Sequence, residues 1–300
     1  TIAGMAGDDV HEAIIDDLVR RRGVVMLIGG SDTGKTSFAR RVLKAALAAG
    51  KTAAYVDADV DRTTTGPPAC AGMHLVREAA DLPDLTRADA LQFVGSINPE
   101  GVVLQHVVAT AKLVEIARPQ VDLVVVDTTA TISGVIGQTL KYHKMELCRP
   151  DVVVGLQLGA ELEPLVGLLR RFFRAAVEGV PVDPEVTSPS PEDRRAARAA
   201  AFERAFTEPL QRWRVRPTVF APTLPAGLDL ERLSGVLVGV MDGEGHCLGL
   251  GVLEHQESIL RVLTNTGDGM RGLRLGSLRI DPETFELQRV RLRDVMFGLD

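Results

Sequence analysis

Lys35 and Thr36 end the run Gly29-Gly30-Ser31-Asp32-Thr33-Gly34-Lys35-Thr36, a full match to G-x-x-x-x-G-K-[ST]. Gly29 and Gly34 let backbone N–H groups turn inward around a polyphosphate with no side chain in the way. Lys35 would reach the β- and γ-phosphates, and the Thr36 hydroxyl would hold Mg²⁺. The apolar run Val24-Val25-Met26-Leu27-Ile28 supplies a buried strand before the loop, and a helical pattern runs from Ser37 to Ala48. That helix adds roughly half a positive charge at its N-terminus. In this strand–loop–helix setting, residues Gly29 to Ser37 are expected to cradle a nucleoside triphosphate.

Other charged residues fall where such a cradle needs them. Asp127 closes the most apolar strand of the chain, Val121–Val126. A second acidic group near Mg²⁺ belongs there, although an aspartate capping a turn would look the same. Asp57, Asp59 and Asp61 lie at the end of the neighbouring strand, 53–56, and alternation points Asp57 and Asp59 to one side. A carboxylate at that strand end could accept the proton of an attacking hydroxyl, or all three could form an exposed turn. Arg194, Arg195 and Arg198 lie in one helical segment, with 194 and 198 on one face and 195 and 198 also neighbours. Guanidinium groups grip phosphate bidentately, so this helix reads as a lid over a triphosphate or as a solvated face.

Helical segments at 9–22, 36–49, 101–117 and 134–146 alternate with continuous apolar strands at 24–28, 53–56, 91–94, 121–126 and 152–156. Such alternation predicts an α/β fold, a parallel sheet with helices on both faces. The segment 61–90 reads as loop-rich, and a Pro- and Ser-rich stretch at 181–192 precedes the arginine helix 192–206. From about 217 short alternating runs between glycine turns predict a small, mostly β unit. The expected division is a phosphate-loop kinase domain over 1–216, with its lid at 181–210, and a β-rich unit over 217–300.

Among 300 residues, 45 % are apolar and 25 % charged, ordinary for a globular protein with a sizeable core. A net charge of −6 excludes a protein coated in basic surface, and aromatics at 4 % exclude extensive base-stacking platforms. Any nucleic-acid contact must therefore use a local arginine cluster. Cys70, Cys148 and Cys247 are too scattered for a disulfide framework or a zinc site, which suits reduced thiols in the cytoplasm. No run is long enough to span a membrane, so no membrane partner is expected.

Together these pieces resemble the polynucleotide 5′-hydroxyl kinase family of pre-mRNA cleavage, tRNA splicing and pre-rRNA processing, within the P-loop NTPases. Members carry a loop near G-x-x-D-x-G-K-[ST], met here with Asp32. Their next strand ends in an aspartate taken as the base for the RNA 5′-hydroxyl, and in Tyr55-Val56-Asp57-Ala58-Asp59-Val60 the matching position is Asp59. A family clasp of the form G-S-T-T-P is similar to Gly95-Ser96-Ile97-Asn98-Pro99, and the lid motif R-R-x-x-R meets Arg194, Arg195 and Arg198. The resemblance implies transfer of the ATP γ-phosphate to the 5′-OH end of RNA or DNA, with Thr36 and Asp127 on Mg²⁺. GTP stays open, since only the lack of an N/T-K-x-D element argues against it. Two departures concern the substrate side. Thr131 stands where the family places a base-clamping tryptophan, and Asp61-Arg62 replaces a usual G-Q pair. A nucleotide-dependent switch or assembly factor, or a scaffold that retains ATP, are the competing expectations.

Overall fold

A computed structural model describes residues 7–183 and 185–297. Helix α1 (Gly7–Arg20) leads into β1 (Gly23–Gly29), the phosphate loop and α2 (Lys35–Ala48). Then follow β2 (Ala53–Ala58), β3 (Cys70–Val76), β4 (Ala90–Phe93), α3 (Val103–Ala117), β5 (Leu123–Thr128) and α4 (Gly134–Cys148). The first unit continues through β6 (Val152–Gln157), α5 (Glu163–Phe172), β7 (Ala176–Pro181) and α6 (Pro191–Ala205). Its seven-stranded sheet has the order β4-β3-β2-β5-β1-β6-β7. β1 lies in the interior of the sheet, parallel to β5 and β6, and β2 is parallel to β5 on the far side.

Alternation along β1 explains the two-sided burial. Val24, Met26 and Ile28 pack with residues of α3, α4 and α5 on one face, while Val25 and Leu27 pack with α1 and α2 on the other. Both faces are covered, so these strands read as unbroken apolar runs. The exception is β3, which is antiparallel to β2 and to β4 and runs through the segment expected to be loop-rich. Its sequence, Cys-Ala-Gly-Met-His-Leu-Val, is short of β-branched residues and follows two prolines, so propensity hides it. The sheet is accordingly mixed rather than wholly parallel.

The second sheet is formed by β8 (Gln211–Arg214), β9 (Phe220–Ala221), β10 (Val236–Met241), β11 (Cys247–Gln256), β12 (Ile259–Thr264), β13 (Gly272–Ile280) and β14 (Leu287–Arg289). Its order is β14-β13-β10-β11-β12-β8, with β9 on β13, and a short helix α7 (Leu292–Phe297) follows. β8 pairs with β12, so the second sheet takes in residues from 211, ahead of the expected start near 217. The polar string Gln-Arg-Trp-Arg gives an edge strand little pattern to recognise.

One face of this sheet has its own core, around Leu233, Val238, Leu253 and Val262. The other packs onto the first unit through Phe93, Cys70, Leu237, Leu250 and Leu278. Close approach depends on glycine: a Cβ on Gly239 would lie 2.4 Å from Cγ of Phe93. Phe202 and Phe206, on the last turn of α6 and just beyond it, are buried in the same cluster. The arginine helix is thus rooted in the junction between the units. Phe202 is fully buried, and Phe202→Ala is expected to cost about 3–5 kcal/mol, read as a lower denaturant midpoint at unchanged slope.

Candidate active site

The phosphate loop lies at the carboxyl end of β1, the edge at which open α/β sheets bind ligands. Gly34 has φ 78° and Asp32 φ 56°, so the chain turns through the left-handed region twice within three residues. Glycine does so without strain, and aspartate is among the residues that tolerate it. Lys35 is buried, and its Nζ donates to the carbonyls of Gly29 at 3.0 Å and Gly30 at 2.7 Å. Burial pushes the Lys35 ammonium below its ordinary range, while Asp127 and Asp59 oppose that shift. The Thr36 hydroxyl donates to Oδ2 of Asp127 at 2.6 Å, and Tyr55 donates to the same oxygen at 2.9 Å. The other oxygen of Asp127 is buried with no hydrogen-bond partner among the described residues. Burial raises the Asp127 carboxyl, against the pull of Lys35.

The two aspartates of β2 and its end have separate fates. Asp57 is buried, and its carboxylate accepts from the backbone N–H groups of Asp59, Thr64 and Thr65. It folds the following loop. Asp59 accepts from the N–H groups of Asp61 at 3.2 Å and Arg62 at 3.1 Å, both through Oδ1. Asp59 lines two clefts at once. One, of about 280 Å³, holds the loop residues Gly34 to Ser37. The other, of about 350 Å³, is walled by Ser31, Asn98, Pro99, Thr131 and Arg194. Among the described residues only Asp59 and Arg62 are common to both.

Arginines of α6 reach this wall from above. Arg194 pairs with Asp32 at 2.7 Å, Arg62 pairs with the other oxygen of Asp32 at 2.5 Å, and Arg198 pairs with Asp61. Burial pushes the Asp32 carboxyl up, but Arg62 and Arg194 outweigh it and hold the group below its usual range. Arg195 is exposed and, like Arg198, lines neither cleft; unlike Arg198, it forms no ion pair among the described residues. Residues 194 and 198 are one turn apart, whereas a single step turns 195 to the outer side. Ser190 caps the helix through the N–H of Asp193, fixing where its first turn begins.

The clasp segment has its own supports. Gly95 has φ 86°, and its carbonyl accepts from the N–H of Ser277 in β13. Buried Ser96 accepts from the N–H of Asn98, presenting Ile97, Asn98 and Pro99 to the larger cleft.

Residues 29–208 match the family described as the mRNA cleavage and polyadenylation factor CLP1 P-loop. The chain belongs to that family. A polyribonucleotide 5′-hydroxyl-kinase of Thermococcus kodakarensis is 28 % identical over 89 % of this chain and 91 % of its own length. Another, from Methanocaldococcus jannaschii, is 26 % identical over 88 % of each. The solved Clp1p–Pcf11p complex is similar in fold, with TM-score 0.67 at 15 % identity, over 91 % of this chain and 79 % of that one. Membership of the CLP1 P-loop family establishes a nucleotide-using P-loop protein.

Three features of the site have roles that the sequence did not assign. Arg62, noted only as a departure from the family's motif, lines both clefts, and Tyr55 steadies Asp127. The third is a buried basic cluster beneath the site. Lys141 donates to the carbonyl of Thr129 at 2.7 Å, and Lys144 Nζ lies 3.0 Å from Nε2 of His106, itself 2.8 Å from the Ala58 carbonyl. All three are fully buried. Here a signal existed: Gly137, Leu140, Lys141, Lys144, Met145 and Cys148 form the buried stripe of α4, and two lysines in such a stripe need explaining.

Burial pushes Lys144 down to about 8 from an ordinary 10.5. Between those values the unfolded chain binds more protons than the folded one, so stability contributed by this group rises with pH across the window. Below about 8 the folded chain carries the full cost of burying the charge. Lys144→Met is therefore expected to reduce the gain in unfolding free energy between neutral and alkaline pH, measured by denaturant titration at both.

Proposed function

We propose that this chain is a polynucleotide 5′-hydroxyl kinase that moves the γ-phosphoryl group of ATP to the 5′-OH of a strand, RNA being the substrate class in its relatives' names. The observation that carries this reading is the placement of Asp59 on the wall shared by the phosphate cleft and the clasp cleft. Phosphoryl transfer needs the acceptor oxygen in line with the transferred group and a group to take its proton. A carboxylate common to the two clefts meets both demands.

In this reading backbone N–H groups of Gly29 to Ser37 hold the phosphates, and the ammonium of Lys35 is drawn from the glycine carbonyls to the β- and γ-oxygens. Thr36 and Asp127 fit a divalent ion: the pair is preassembled at 2.6 Å, and Asp127 keeps an unsatisfied buried oxygen. Magnesium, when bound, would neutralise charge between the β- and γ-oxygens. Asp59 orients the 5′-hydroxyl and takes its proton, while Ile97 to Pro99 close over the acceptor. Arg194 and Arg198 exchange Asp32 and Asp61 for the equatorial oxygens as α6 settles. Arg198→Ala is expected to lower kcat by about 10²-fold, and Arg195→Ala to leave it nearly unchanged. Equal losses in steady-state assays of the two variants would refute that division of labour. ATP is favoured over GTP, and the three buried free cysteines suit the cytoplasm.

Incubation with γ-labelled ATP and a 5′-hydroxyl oligonucleotide tests the reading: label must appear on the oligonucleotide. Thr131, where the family's tryptophan would stand, favours one other reading, a nucleotide-dependent switch. Free phosphate released only with a protein partner, and no labelled strand, would establish the switch instead.

A further inference from the structure

The chain carries a net charge of −6, yet five arginines converge on one face of its second unit. Arg232, Arg279, Arg289 and Arg291 line a cleft of about 510 Å³ with Asp294 as its only carboxylate among the described residues. Arg289 and Arg291 also line an adjoining cleft of about 550 Å³, together with Arg293 and one carboxylate, Glu100. Arg289 is paired with Glu100 at 2.9 Å. Among the described residues no carboxylate pairs with Arg232, Arg279, Arg291 or Arg293. Arg279 is positioned by donating to the Arg232 carbonyl at 2.6 Å, and its Nε is buried with no partner. Concentrated, largely uncompensated guanidinium groups on an acidic protein are costly unless an anion is to be met there.

Position says which anion. Ile97, Asn98 and Pro99 line the acceptor cleft, and the next three residues, Glu100, Gly101 and Val102, line the arginine cleft. The clasp is thus a single turn with the reacting site on one side and the arginines on the other. A strand whose 5′ end lies at Asp59 has the rest of its backbone outside that site, and the far side of the clasp offers repeated positive charge. Resting on the kinase reading, we propose that the arginine face of the second unit is a track for the substrate's sugar–phosphate backbone downstream of the reacting end. Arginine forks fit phosphate bidentately, and the scarcity of aromatic residues leaves little for base stacking. Binding along the track is accordingly indifferent to base sequence.

The test compares wild type with the double variant Arg291→Ala/Arg293→Ala, both positions being exposed. Substrates are a 5′-hydroxyl dinucleotide and a 5′-hydroxyl oligoribonucleotide of roughly a dozen residues, within the span that single-strand grooves cover. With the longer strand the variant is expected to lose roughly tenfold in kcat/KM, and its salt slope to fall by about 1.4, or 0.7 for each lost phosphate contact. With the dinucleotide it keeps the wild-type value. Arg291→Lys/Arg293→Lys restores part of the loss, since lysine returns the charge without the bidentate fork. Unchanged kinetics on both substrates, or equal losses on both, would overturn the track.

Fluorescence anisotropy of the same oligonucleotide, labelled at its 3′ end, separates this proposal from the one beneath it. If wild type phosphorylates neither strand, the kinase reading fails. The track then survives only if binding is still lost in the alanine variant, and it falls if binding is absent or unchanged. Tighter arginine-dependent binding of poly-glutamate than of the oligonucleotide would assign the face to an acidic protein and also overturn it.

Discussion

Lys35→Ala abolishes label transfer from ATP to a 5′-hydroxyl strand, by about 10³-fold or more, the scale set by removing a cation that meets transferring phosphate. The size follows from where the ammonium sits. It is buried at the head of α2, and in a poorly solvated site its interaction with developing charge is far larger than in water. Asp127 and Asp59 act to keep it charged against its burial. Alanine would leave those two carboxylates beside the phosphates without the lysine's opposing charge, so affinity for ATP also falls. Isothermal titration with ATP and magnesium, beside the transfer assay, reads both losses. Transfer within tenfold of wild type would remove Lys35 from the chemistry.

Asp59→Asn separates turnover from binding. The amide has nearly the shape of the carboxylate, and its oxygen can still accept from the N–H groups of Asp61 and Arg62, so the loop that shapes both clefts is kept. Proton acceptance is lost. A positioned general base contributes about 10²–10⁴-fold, and kcat is expected to fall by that factor while the dissociation constant for ATP changes little. The complementary variant, Asp57→Asn, behaves differently. Asp57 is buried beneath three backbone donors, and burial together with Asp127 and Asp59 pushes its carboxyl well above the usual range. Its replacement acts on the fold of residues 59–65 rather than on the proton. Undiminished turnover in Asp59→Asn would assign the proton to another group.

These two aspartates show how far the chain could be read without coordinates. Alternation along the strand predicts Asp57 and Asp59 on one side, but could not say which one the loop would bury. That choice depends on residues 64 and 65 folding back, a contact no periodicity encodes. The lid is similar. Spacing puts Arg194 and Arg198 together, whereas the exposure of Arg195 follows from how Phe202 and Phe206 fix the roll of α6 in the junction between the sheets. Asp61-Arg62, a departure from the family's motif, becomes intelligible only in space: Asp61 pairs with Arg198 and Arg62 with Asp32, so the pair ties the loop to the lid and the phosphate cradle.

The residues of the phosphate loop, the apolar strand before it and the helix after it determined by themselves that a polyphosphate would be held, because a local turn of glycines and one helix terminus are enough to make that site. Asp127 was legible for the same reason, as the polar end of an apolar strand. What only the tertiary structure decided is everything that needs two distant segments: the wall that Asp59 and Arg62 share, the buried lysines of α4 beneath it, and the arginine face joined to the clasp. Those depend on residues thirty or more positions apart meeting in space, and burial and pairing at such separations are set by the whole core rather than by any window of sequence.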